Sequence, residues 1–146
     1  MTIRKLNDQV AVSPQLTVKD IEKAAAEGYK TVINNRPDKE GLMQPSSDDL
    51  KAVAEKHGMA YYHIPVTPGQ FTDEQVEEFG KAVEGCNGPV LAFCKSGTRA
   101  ACLWALHEAA EQNPDTVLNA CNSAGYDLSG LAPRLHARAE AARKGQ

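Results

Sequence analysis

The amino-acid sequence predicts an α/β domain built on a mostly parallel central sheet. Short apolar runs alternate with helix-length segments along the chain, which is the order that parallel crossover connections produce. Successive helical segments open on Ser or Thr and close on Gly: 17 and 28, 46 or 47 and 58, 72 and 85. No repeat, low-complexity linker or shift in composition marks a second unit, so residues 1–146 are expected to form a single domain. A chain of this size buries roughly 70% of the surface its unfolded form exposes.

The elements follow in order. Residues 3–6 and 10–12 suit an opening pair of edge strands. Thr17 starts a helix with Val18, Ile21, Ala24 and Ala25 on one face, and Gly28 stops it. Residues 29–33 read as a buried strand ending in the loop Asn34-Asn35-Arg36-Pro37-Asp38. Ser46 or Ser47 caps a helix through His57, ended by Gly58. The run AYYHIPV, residues 60–66, is the next strand, and TPGQ turns the chain. Thr72 and Gln75 form a capping box for a helix reaching Gly85. Residues 89–93 make a further strand, and a long helix runs from Thr98 to about Gln112. Pro114 suits the first position of a helix over 115–123, closed by Gly125. A last helix spans 131–143, and the tail EAARKGQ reads as its frayed end.

Composition excludes several classes. With 42% apolar and 5% aromatic residues, the core should consist mainly of Ala, Val, Leu and Ile. A formal charge of -3 argues against nucleic acid as a partner, because phosphate backbones select basic faces. No run approaches the roughly 18 apolar residues of a membrane span. The start MTIRKLNDQV lacks the apolar core of a secretory signal, so a cytoplasmic protein without a membrane partner is expected. Cysteines at 86, 94, 102 and 121 are too dispersed for a disulfide scaffold and miss the CxxC zinc spacing. Neither a metal nor another cofactor is expected.

The informative stretch is LAFCKSGTRA, residues 91–100. A strand, a tight loop and a helix N-terminus turn backbone N–H groups and the positive helix end toward the loop centre. Cys94 falls at the strand end, where such an environment favours a thiolate; cysteine pKa values drop from about 8.5 to roughly 3.5–7.5 in these settings. Gly97 lets the loop curl, Ser96 and Thr98 offer hydroxyls, and Lys95 adds charge at the rim. Arg99 presents a planar fork to an oxyanion above the sulfur. Cys94 and Arg99 are therefore the candidate catalytic residues, and Lys95, Ser96, Gly97 and Thr98 the candidate anion-binding loop. The plain alternative is an inert cysteine in a strand-to-helix turn.

This unit resembles that of cysteine-dependent phosphatases, including the dual-specificity group. NNRPDKE at 34–40, HIPV at 63–66, FCKSGTR at 93–99 and AGYDL at 124–128 are together similar to the phosphatase-like domain of the beta-lactamase hydrolase-like proteins. The resemblance implies a three-layer cysteine-phosphatase-like domain, with a central sheet of about five strands flanked by helices. It also implies a possible partner, because that domain occurs alone or fused to a metallo-β-lactamase-type persulfide dioxygenase.

The resemblance leaves the reaction open between phosphoester hydrolysis and sulfur transfer. Four residues separate Cys94 from Arg99, one fewer than in tyrosine phosphatases, and CKSGTR fits the rhodanese pattern Cys-(Arg/Lys)-x-Gly-x-(Arg/Thr). Phe93 and Ala100 stand where phosphatases usually carry His and Ser or Thr. The loop after HIPV reads Thr67-Pro68-Gly69-Gln70, without an aspartate to protonate a leaving oxygen. These departures place a rhodanese-type sulfurtransferase first, with Cys94 taking a sulfur atom from thiosulfate or a small persulfide and passing it to an acceptor thiol. The alternative is a cysteine-dependent phosphatase with a Cys94 phosphoenzyme and Asp38 or Asp73 as acid. A module that only captures small anions is the third reading.

Other residues carry weaker signals. Arg36 and Asp38 lie at the end of a predicted parallel strand, where open sheets place their ligands, and serve either as a second pocket wall or as a loop ion pair. Asp73 has a sufficient role at a helix start. Cys102 suits core packing better than a redox role. His63 lies within a strand and reads as a hydrogen-bonded core histidine rather than a base, and no chemistry follows from Tyr126 or Asp127. The run RLHARAEAARK reads as a solvated helix face.

Overall fold

The computed structural model describes residues 1–145; Gln146, the end of the expected frayed tail, lies outside the described residues. Five strands and six helices follow one another: β1 (Arg4–Lys5), β2 (Val10–Ser13), α1 (Val18–Ala26), β3 (Thr31–Asn34), α2 (Ser47–Lys56), β4 (Ala60–His63), α3 (Asp73–Glu84), β5 (Val90–Phe93), α4 (Thr98–Glu108), α5 (Pro114–Ser123) and α6 (Ala132–Lys144). A 3₁₀ turn, Ser129–Leu131, leads into α6. The sheet order is β1-β2-β5-β3-β4. Only β1 runs antiparallel to its neighbour; the other pairings are parallel.

Alternation along the strands splits the core into two layers. Ala11, Val32, Leu91 and Phe93 face Ile21 and Ala24 of α1 and Leu50 and Ala54 of α2. Val10, Val12, Ile33, Val90 and Ala92 face the other way, against α3, α4, α5 and α6. The result is the three-layer α/β arrangement expected. Aliphatic residues dominate, with Trp104, Phe79 and Phe93 fully buried among them.

Local chemistry accounts for the element ends. Thr17 and Thr72 each cap a helix reciprocally with the residue three positions on, Asp20 and Gln75. Ser46, not Ser47, caps α2; Ser47 is buried and its hydroxyl bonds the Tyr61 hydroxyl at 2.9 Å. Asn113 accepts from the Asp115 N–H ahead of Pro114, where a missing N–H costs nothing. β4 ends at His63, short of Val66, because Pro65 has no N–H to give. The Ile64 and Val66 amides still donate to the Asn34 and Asn35 carbonyls, so the chain continues along the end of β3.

α4 is buried on all sides, with every residue from Arg99 to Leu106 inside. Its mean environment is that of a core helix. Neighbours on every face set its position, and its N-terminus thereby lies at the end of β5. Phe79 of α3 is fully buried beside it. Phe79→Ala should lower the unfolding free energy by about 3–5 kcal/mol, read as a drop in urea midpoint with an unchanged slope.

Candidate active site

Between Phe93 and Thr98 the chain turns from β5 into α4 in four residues. Cys94 is fully buried, and its Sγ accepts the Gly97 N–H at 3.1 Å. Gly97 is the N-cap of α4 with φ of 95°, a left-handed conformation that a side chain would disfavour. It has a second reason to be glycine. An added Cβ would run into the hydroxyl of Tyr126, which donates to the Ser96 carbonyl at 3.2 Å. Ser96 and Thr98 bond each other through their hydroxyls at 3.0 Å and so close the loop on itself. Lys95 is exposed at the rim, and its carbonyl accepts the Gln15 N–H at 3.2 Å.

Arg99 is held by a residue the sequence reading did not single out. Its Nη1 and Nη2 donate to the two carboxylate oxygens of Glu40 at 2.8 and 2.7 Å, and Nη1 also reaches the Val66 carbonyl at 2.8 Å. Arg36 Nε donates to Glu40 Oε1 at 2.9 Å, and its Nη1 to Gln15 Oε1 at 3.0 Å. One carboxylate thus bridges two buried guanidinium groups. Bonding to Arg99 first, and to Arg36, holds the Glu40 carboxyl down at about 2 despite the opposing cost of burial. Glu40, the hydrogen-bonded partner, pushes the Arg99 guanidinium further up. Glu40 was legible in one respect: it lies four residues after Arg36 in NNRPDKE, and a buried arginine needs a carboxylate.

The remaining candidates fall in different places. Arg36 joins the Arg99 network through Glu40. Asp38 instead accepts the Ser47 N–H at 2.8 Å and serves the start of α2. Asp73 is exposed and bonds Arg134 at 3.1 Å, with Arg138 at 3.6 Å. Both carboxylates are thus turned to partners outside the Cys94 loop. His63 is half-buried at the end of the edge strand β4 rather than in the core, and its Nε2 donates to the Arg36 carbonyl at 2.9 Å, a strand-end tie rather than a base. Burial pushes the thiols of Cys102 and Cys121 up to about 12, which leaves them protonated and unsuited to resolve a modified Cys94.

Among the described residues one grouping has donor atoms close enough for a metal ion: Glu84, His107 and Glu111. It lies on the α3–α4 surface, where Lys81 and Arg138 line the same hollow, and is separate from the Cys94 loop. No helix among the described residues is long and apolar enough to cross a membrane.

A strand-end cysteine, an amide directed at its sulfur and an arginine at the first turn of the following helix define a cysteine-phosphatase-like domain. The chain belongs to the family described as the phosphatase-like domain of beta-lactamase hydrolase-like proteins, whose model matches residues 2–111. A beta-lactamase hydrolase-like protein of Xylella fastidiosa strain 9a5c is 35% identical over 95% of the chain, and one of Agrobacterium fabrum 36% identical over 72%. The chain spans a third or less of the length of these curated relatives, 33% and 24%. A crystal structure of a candidate phosphatase from Neisseria meningitidis Z2491 superimposes with a TM-score of 0.83 at 38% identity, covering 94% of this chain and 99% of that one. A crystal structure of Tk-PTP in the active form shares the fold, with a TM-score of 0.75 at 18% identity over 95% and 96% of the two chains.

Two outcomes test this geometry. The Glu40 carboxyl titrates near 2 when folded against an ordinary 4.5, so its stabilisation is complete above pH 4.5 and disappears as pH falls toward 2. Thermal melts of Glu40→Gln should therefore lie below wild type at neutral pH and converge with it toward pH 2. Gly97→Ala should cost roughly 1–3 kcal/mol through backbone strain and slow alkylation of Cys94 at pH 7.

Proposed function

We propose that this domain is a cysteine-dependent phosphatase acting on phosphate monoesters. The observation that carries the reading is the Cys94 sulfur accepting the Gly97 N–H at the entrance to α4, with Arg99 close enough to interact with it. Family membership and the fold shared with phosphatases support it. In the first step Cys94 Sγ attacks phosphorus, an S–P bond forms, and the P–O bond to the ester oxygen breaks. Arg99 and loop amides take up the charge of the phosphoryl oxygens. Water then attacks phosphorus, the S–P bond breaks, and inorganic phosphate leaves with the thiolate restored. Asp38 and Asp73 are engaged elsewhere, so the departing oxygen takes its proton from water. Esters of acidic alcohols, such as aryl phosphates, are accordingly the favoured substrates.

That same lack of a loop carboxylate favours a second reading, sulfur transfer. Here Cys94 Sγ attacks the outer sulfur of thiosulfate, an S–S bond forms as sulfite departs, and an acceptor thiol removes the sulfur. This route needs no acid. It also admits a persulfide-consuming enzyme as partner, and the four-residue spacing of Cys94 and Arg99 suits a single bound sulfur atom.

One pair of measurements separates the readings. Turnover of 4-nitrophenyl phosphate that falls at least a thousand-fold in Cys94→Ser supports the phosphatase. A mass gain of about 32 Da after thiosulfate treatment, absent in Cys94→Ser and without phosphate turnover, overturns it in favour of transfer. Arg99→Lys should weaken phosphate inhibition and lower turnover, since an ammonium cannot reproduce the planar fork.

A further inference from the structure

Ser96 C=O and Gly97 N–H belong to one peptide group. The N–H end points at Cys94 Sγ, 3.1 Å away, and the C=O end receives the Tyr126 hydroxyl at 3.2 Å. From these two bonds we propose that Tyr126 is a positioning residue for the nucleophile, locking the Ser96–Gly97 peptide so that its N–H is presented to the Cys94 sulfur. The inference rests on the reading of Cys94 as a nucleophile.

The physical need for a lock follows from Gly97. A glycine at φ of 95° tolerates rotation of the preceding peptide plane more readily than any other residue. Rotation by half a turn would replace the N–H beside the sulfur with a carbonyl oxygen, which repels a thiolate. Tyr126 opposes that rotation by holding the carbonyl. Donation to a carbonyl also polarises the amide it belongs to and strengthens the bond the N–H makes. The hydroxyl fits because Gly97 has no Cβ, the atom that would collide with it.

Tyr126 is itself held from several sides. Its backbone N–H donates to the Cys121 carbonyl at 2.9 Å at the end of α5, and its ring is buried in the core. Arg4 donates to the Ala124 carbonyl at 3.2 Å across the same turn. Burial pushes the phenol above its ordinary value, so it remains a donor at neutral pH. Arg99 and Cys102 on α4 and Tyr126 beyond α5 are titratable or charged groups close enough to interact with Cys94. Of these, Tyr126 reaches the sulfur through a single peptide.

The test is Tyr126→Phe, which keeps the buried ring and removes only the hydroxyl, with Tyr62→Phe on the exposed face of β4 as control. The iodoacetamide rate of Cys94 at pH 7 should fall about five-fold, the worth of one hydrogen bond, and the midpoint of its pH profile should move upward. In the same variant the Gly97 amide resonance should shift upfield and exchange faster, while circular dichroism and the Tyr62→Phe protein match wild type. Coincident pH profiles and an unmoved Gly97 amide in Tyr126→Phe would overturn the proposal. A wild-type thiol inert at neutral pH would instead overturn the nucleophile reading, and the Gly97 amide would still decide whether Tyr126 locks the peptide.

Discussion

Two guanidinium groups buried at one end of a sheet repel each other and resist leaving water, and Glu40 resolves both problems at once. It gives Arg99 a bidentate acceptor and Arg36 a charged one, so the pair carries a net single positive charge. The geometry of that bridge decides where the Arg99 fork lies relative to Cys94. Gln15 and Val66 complete the arrangement from two further strand ends. Without the carboxylate, two desolvated cations would be left to solvate themselves, and the strand-end loops would have to open to admit water.

The sheet register brings these parts together. Ser13, Phe93, Asn34 and His63 end four neighbouring parallel strands at the same level. Whatever follows each strand therefore falls in one row: Gln15, Cys94, Asn35 with Arg36, and Ile64 to Val66. This is the carboxyl edge at which open parallel sheets gather their ligands. The buried helix α4 then supplies the amide end that faces the row, and its all-round packing fixes where that end lies.

Much of this was legible in the chain because the signals are local. The Thr17 and Thr72 caps, the Gly stops, the apolar strands and the Cys94–Gly97–Arg99 spacing each depend on residues close in sequence, and each appears near its expected place. Glu40 and Tyr126 escaped for the opposite reason. Arg99 lies 59 residues from Glu40 and the Ser96 carbonyl 30 from Tyr126, and only the folded row brings them near; Arg36, four residues before Glu40, was the one local cue. Asp38 and Asp73 looked available in sequence because helix N-termini and acid catalysis ask for the same residue type. The structure assigns them to the Ser47 amide and to Arg134. The preference for sulfur transfer came from spacing and missing groups alone, whereas family and fold both favour the phosphatase.

The protonated state of the core thiols Cys102 and Cys121 has an experimental use. Two thiols locked in their neutral form inside the larger core layer stay silent toward alkylating reagents until that layer breathes. Counting labels over time would thus turn ordinary cysteine chemistry into a clock for transient opening around α4 and α5.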